Sequence, residues 1–394
     1  MTRPAGTRGI SLCGGWFATI LLTIAIAGCQ SASAPDVLEL DGTRQADALE
    51  PADIPATEKL GSGPVAIGML LPRSAGGEAG RDAAEFRDGA ALAMSELGGD
   101  HITLTIYDTK GQAAQIGNNA SEAIANGARL LIGPISANDV EAVKAMPAST
   151  RPAILSLAAN SASTAPDIFT LVSDETDSAL AGVGYAVESG KKKVLAIAPD
   201  TVPEREARRL GKGIAARGGE FLGAVTYTAG AVPDQTRSLA ASADAFLLLG
   251  RDGAPGRSAS ALRATGAVRQ DAVLVGTSAW SRQDHADPAL NGAVLAIPNP
   301  SGLREISDRF RAAYGRSLSL EAAYAYDAIA IAAGIVRVMG ADSLSSATLQ
   351  ARSGFKGTTG VFRFNQDGSV ERRMPIYRIE AKRLKLVDAA SDSF

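Results

Sequence analysis

Apolar residues in this chain come as short unbroken runs, separated by stretches in which they recur at helical spacing. Val65 to Leu71 (VAIGMLL) is a run of strand length, ended by Pro72 because proline has no amide to give a ladder. The loop from Arg73 to Asp82 is crowded with serine, alanine and glycine, so its backbone can bend sharply and approach a ligand closely. Phe86, Ala90, Ala93, Met94 and Leu97 then follow the helical period. The alternation continues with strands predicted at 102–107, 130–132, 153–157 and 169–172 and a helix from Ala113 to Ile124. After a helix cap at Ser173 to Thr176 the pattern restarts. Strands are predicted at 194–198, 223–227, 245–249 and 272–276, with helices over 204–216 and 256–265. Beyond residue 300 the rhythm breaks: 303–314 and 320–339 read as helices, and 360–364 and 374–387 as extended chain around the Asp367-Gly368 turn.

The fold class is therefore α/β, with two successive arrays each the size of one Rossmann-like domain. In open parallel sheets ligands sit at the carboxyl ends of strands. That rule selects the loop at Arg73 and Ser74, the turn Gly133-Pro134 with Ser136, Ala137 and Asn138, and the loop containing Ala158 and Asn160. Arg251, Asp252, Ser278 and Trp280 occupy matching places in the second array.

The amino-terminal end is different. Arg3 and Arg8 precede an apolar run from Trp16 to Ala27, too short for a comfortable membrane span and laid out as a secretory signal. It ends in Ile26-Ala27-Gly28-Cys29, which resembles a bacterial lipobox and makes Cys29 the lipidation site of a protein held to the membrane by a lipid anchor only. Gln30-Ser31 lacks the aspartate associated with inner-membrane retention, so the expected location is the outer membrane facing the periplasm, or the cell surface if the organism is Gram-positive. Residues 29–61 are rich in Ala, Ser, Pro, Asp and Glu without a sustained apolar period and read as a flexible tether.

Composition narrows the chemistry. A net charge of -3 over 394 residues favours neither nucleic acid nor an acidic membrane surface. The only cysteines are Cys13 and Cys29, so the chain after the anchor has no thiol for disulfides, thiolate catalysis or metal binding. His101 and His285 stand apart from any metal-ligand spacing, and no P-loop, GxGxxG, GxSxG or HExxH occurs. Ser189 to Lys192 fits S-x-x-K without the partner motifs that would give it meaning. Neither an enzyme nor a cofactor is expected.

In order along the chain stand VAIGMLLPRSAG with GAALAMSEL, YDTKG at Tyr107, LLIGPIS at Leu130, AILSLAANSA at Ala153, GTSAW at Gly276, AYAYDA at Ala323 and GFKGTTGVFRFNQDG at Gly354. This series resembles the type I periplasmic binding proteins, in particular the branch around leucine/isoleucine/valine-binding proteins. The resemblance implies two Rossmann-like lobes joined by three crossovers, with a small polar ligand closed into the cleft by hinge motion. It divides the chain into a signal peptide (1–28), a tether (29–61), lobe one (62–173 with 300–350) and lobe two (174–299 with 351–388). It adds Tyr324 to the candidate ligand residues and gives Tyr326 and Asp327 packing and capping roles. Where amino-acid binders carry a second-lobe acid for the ligand's ammonium, this sequence has Ser278. Two partners fit: a peptidoglycan synthase (penicillin-binding protein), as for the lipoprotein activators built on this fold, and an ABC permease. The lipobox and the missing acid favour the activator reading, with amino-acid delivery to a transporter as the alternative.

Overall fold

In the computed structural model the described residues are 54–159, 165–227, 234–266, 268–298 and 300–394. The strands are β1 (Thr57–Leu60), β2 (Val65–Leu71), β3 (Ile102–Asp108), β4 (Leu130–Ile132), β5 (Ala153–Ala159), β6 (Ile168–Val172), β7 (Lys193–Ala198), β8 (Glu220–Thr226), β9 (Ala245–Leu248), β10 (Val273–Gly276), β11 (Val294–Ala296), β12 (Phe355–Gly357), β13 (Gly360–Phe364), β14 (Val370–Arg372), β15 (Ile376–Glu380) and β16 (Arg383–Asp388). The helices are α1 (Gly77–Ala93), α2 (Ala113–Ala125), α3 (Ala137–Lys144), α4 (Glu175–Glu188), α5 (Glu204–Ala216), α6 (Asp234–Ser242), α7 (Ala254–Ala264), α8 (Arg282–Ala286), α9 (Pro300–Tyr314), α10 (Leu320–Met339) and α11 (Ser346–Leu349).

Two sheets carry the molecule. The first runs β1-β3-β2-β4-β5-β6 and is parallel except for β1; the second runs β16-β15-β11-β10-β9-β7-β8, with β15 and β16 antiparallel at one edge. Both faces of each sheet are covered, which is why β2 and β9 read as continuous apolar runs. Ile67, Leu104 and Leu155 on one face of the first sheet meet Phe86, Tyr324 and Ile329 of the helices α1 and α10. Each such aliphatic side chain, taken fully out of water, contributes roughly 1.5–3 kcal/mol. Helix α10 is long and apolar enough to cross a membrane, but two-thirds of that stretch (67%) is buried inside the protein, which makes it a core helix. It crosses α1 closely: a Cβ on Gly89 would stand 2.0 Å from the carbonyl oxygen of Ala322.

Two boundaries differ from the sequence reading. The last part of the expected tether, residues 57–60, is strand β1, paired antiparallel with β3 and anchored by Glu58 to Arg73 and Arg87. TEKL shows little apolar signal because an edge strand is half exposed. Residues 355–372, grouped with lobe two, form a separate three-stranded sheet whose Phe362, Phe364 and Val370 join the first core. Only β15 and β16 enter the second sheet.

The chain passes between the lobes at Ser173-Asp174, after Ala296, and at Arg373 to Pro375. These passages are stitched together. The Arg372 Nε donates to Ser173 Oγ at 3.0 Å, and Ile297 N donates to Pro375 O at 3.3 Å. The signal run and Cys29 lie outside the described residues.

Candidate functional site

Topology alone brings the expected loops together. Strand β6 is parallel to β5 and hands the chain to the second lobe from its carboxyl end; β11 is parallel to β10 and hands it back from its own. The carboxyl ends of the parallel strands in both sheets therefore face the same interlobe space.

On the first lobe this wall is set by Asp108, almost fully buried, whose Oδ1 accepts from Ser74 N at 3.1 Å and Lys110 N at 3.0 Å. One carboxylate thus clasps two loops. Gly133 has φ +88 and lies so close to β2 that a Cβ would come 2.5 Å from Leu70 O. The turn after it delivers Ser136 as the cap of α3, its hydroxyl accepting from Asp139 N at 3.2 Å, while Ala137 and Asn138 are exposed in the first turn. Ala158 is buried, with its amide donating to Ser156 Oγ. Asn160 lies outside the described residues. The Arg73 guanidinium pairs with Glu58 at 2.9 Å, and its side chain is only 8% exposed.

On the second lobe Arg251 and Ser278 are exposed, and Ser278 N donates to Ser178 Oγ at 2.8 Å. Trp280 points into the core. Its Nε1 donates to Leu248 O at 3.1 Å, and its ring fills the space where a side chain on Gly276 would sit. Tyr324 is buried at the hinge, where its hydroxyl accepts from Ser173 N at 3.4 Å and burial pushes its pKa up. Tyr326 donates to Glu96 Oε2 at 2.7 Å, and burial together with that carboxylate pushes its pKa up to about 12.

Two groups went unnoticed in the sequence. Asp284 is 1% exposed and accepts from the amides of Asp252, Gly253 and Ser281, so it shapes the loop that carries Arg251. Glu175, in the first turn of α4, accepts from Thr277 Oγ1 at 2.8 Å. A carboxylate is thus fixed at the carboxyl end of β10, one residue from Ser278, although Ser278 itself is not acidic. Its position in a helix cap masked it, since acids are ordinary there. Among the described residues no group of His, Cys, Asp or Glu is placed to hold a metal.

Behind the first-lobe loop, burial together with Glu321 and Glu78 pushes the Asp82 carboxyl up to about 6. A carboxyl whose folded pKa lies above its unfolded value loses stability as pH rises between the two, because the unfolded chain gives up the proton first. The cost is fully present above about pH 6 and absent below the unfolded value. Asp82→Asn is expected to stabilise the protein by about 1 kcal/mol near neutral pH, after allowance for solvent screening. The gain should fade as urea melts are repeated toward about pH 4.

The sequence from residue 64 to 383 matches the family model described as periplasmic binding protein. The chain belongs to that family. Solved structures share its fold. One from Rhodospirillum rubrum, assigned to branched-chain amino acid ABC transport, is 19% identical with a TM-score of 0.65, covering 82% of this chain and 99% of that one. An ABC transporter substrate-binding protein from Desulfitobacterium hafniense in complex with Leu is 16% identical with a TM-score of 0.51, covering 82% and 99%. A solute-binding protein from R. palustris in complex with benzoate is 18% identical with a TM-score of 0.50, covering 84% and 98%. No curated protein matches. At these identities the likeness establishes the fold: two lobes of parallel sheet and helices of the periplasmic binding protein type.

Proposed function

We propose that this binding protein takes up an amino acid outside the cytoplasm and presents it to an ABC permease, without catalysing a reaction. The observation that carries this is the Glu175–Thr277 pair, which supplies the second-lobe acid that Ser278 lacks. In the proposed complex the ligand's carboxylate lies on the first-lobe loops, at the amides of the first turn of α3 and the Ser136 hydroxyl. Its ammonium lies against Glu175. A closed cleft would otherwise leave that ammonium unpaired, at a cost of several kcal/mol. The leucine and benzoate complexes among the structural neighbours support a small carboxylate as ligand and an ABC permease as partner. Cys29 is the proposed lipid anchor on the periplasmic side of the outer membrane. That anchor is what favours the second reading, activation of a peptidoglycan synthase.

The test is calorimetry on the chain lacking residues 1–28 against the common amino acids and benzoate. Glu175→Gln is expected to weaken amino-acid binding about ten- to hundredfold, the size of one hydrogen bond to a charged group, while changing benzoate binding less than about threefold. Binding of no amino acid, together with a penicillin-binding protein crosslinked to the native lipoprotein, would establish the activator reading instead.

A further inference from the structure

The family's architecture supplies three passages between lobes. Residues 389–394 of this chain add a contact across the same boundary. Strand β16 ends at Asp388, which sits opposite Ile376, just after the third passage. Residues 389–394 then leave the second sheet and return to the three-stranded sheet on the first core. Lys356 Nζ, on β12, pairs with Asp392 Oδ1 at 3.0 Å. The Phe394 ring meets two guanidinium groups, 4.4 Å from that of Arg363 on β13 and 4.5 Å from that of Arg373 in the third passage. Arg363 itself is fixed by Glu371 at 2.7 Å. The segment is also pre-shaped: Ser391 Oγ donates to Ser393 O at 2.8 Å and accepts from Ser393 N at 3.3 Å. Ala390, Ser391 and Asp392 close one side of a cavity of about 540 Å³ whose other walls include Tyr326, Asp327 and Arg373.

We infer that residues 389–394 form a strap that sets the balance between lobe arrangements. The strap is rooted in a strand of the second sheet and fastened to the first lobe through Asp392 and Phe394. Any rotation about the three passages that carries β16 away from β12 and β13 must break the ion pair or pull the aromatic ring away from the arginines. The strap therefore favours the arrangement in which it is fastened, by an amount set by those contacts alone. Its polar half weakens with salt, because Lys356 and Asp392 are exposed. Its aromatic half does so less, since the ring stays packed against the two guanidinium groups. The inference rests on the hinged reading of the fold but on no particular ligand.

The absence of cysteine after residue 29 permits a clean distance measurement. Ser121→Cys on α2 and Lys212→Cys on α5, both exposed, take spin labels on opposite lobes. In the ligand-free chain lacking residues 1–28, with alanine placed at position 29 (Cys29→Ala), Phe394→Ala combined with Asp392→Asn is expected to raise the minor distance population about three- to tenfold. Phe394→Trp, which keeps a ring for the arginines, should restore the original distribution. Stopping the chain after Asp388 should reproduce the double variant. Distance distributions that coincide for the original chain, the double variant and the shortened chain, with unchanged circular dichroism, would overturn the strap. Failure of every amino acid to bind would sink the proposed transport role and leave this distance result standing.

Discussion

Asp327→Ala is expected to lower the stability of the first lobe by about 3–5 kcal/mol, the range for removing one member of a buried charged network. Asp327 is 1% exposed on α10 and accepts four hydrogen bonds from the turn between β12 and β13. Thr358 donates through N at 2.6 Å and Oγ1 at 2.8 Å, and Thr359 through N at 3.0 Å and Oγ1 at 2.5 Å. Alanine would leave two amides and two hydroxyls without an acceptor, each costing about 1–3 kcal/mol if water cannot reach it. It would also remove the negative charge that lies one threonine away from Arg372, whose Nη1 donates to Thr359 Oγ1 at 2.7 Å. Asp327→Asn keeps the shape and one acceptor oxygen, so it should cost about half as much. The measurement is the urea midpoint followed by circular dichroism, with the fluorescence of Trp280 reporting the second lobe separately, since two lobes need not unfold in one step. A loss below about 1 kcal/mol for alanine would show that the turn is held by its neighbours in the small sheet instead.

Arg372→Met is expected to cost about 2–4 kcal/mol and to loosen the hinge in the same step. The guanidinium is almost buried and spends its donors on Ser173 Oγ, Leu171 O, Thr359 O and Thr359 Oγ1, all between 2.7 and 3.0 Å. It also lies over the rings of Phe362 at 4.6 Å and Tyr324 at 5.3 Å. Methionine fills much of the volume but offers no donor, so the β6 carbonyl and the first passage lose their tie to the third. Arg372→Lys should fare little better, because an ammonium cannot reproduce a planar fork. If ligand closure uses this hinge, affinity for the bound amino acid should fall about three- to tenfold through the extra disorder of the free protein. Calorimetry on the variant checks that figure. Unchanged stability and affinity would remove Arg372 from the hinge.

The elements with strong periodicity were legible from the chain alone. Val65–Leu71, Leu130–Ile132, Glu204–Ala216 and Leu320–Met339 stand where the pattern puts them. What escaped depends on contacts between distant residues. The apolar alternation of Phe362 and Phe364 announces a buried face but not which core receives it; the chain order groups the small sheet with the second lobe, and its side chains join the first core. Glu58 gives no sign that it holds Arg73, because the edge strand bearing it is polar. Trp280 follows a strand end as a ligand residue would, yet the missing side chain of Gly276 lets its ring turn inward. At the candidate site the loops were legible and the roles were not: Glu175 and Asp284 look like ordinary cap acids until their partners in space are known.

The clasp at Asp108 bears on how the proposed ligand is met. Because one carboxylate fixes the loops after β2 and β3 together, these two loops are shaped before anything arrives. In the proposed transport role no ordering of these two loops has to be charged against first contact, so discrimination between solutes begins there at the moment of encounter. On the same proposal the second lobe acts as a referee, closing on those solutes that already fit and letting the others drift away.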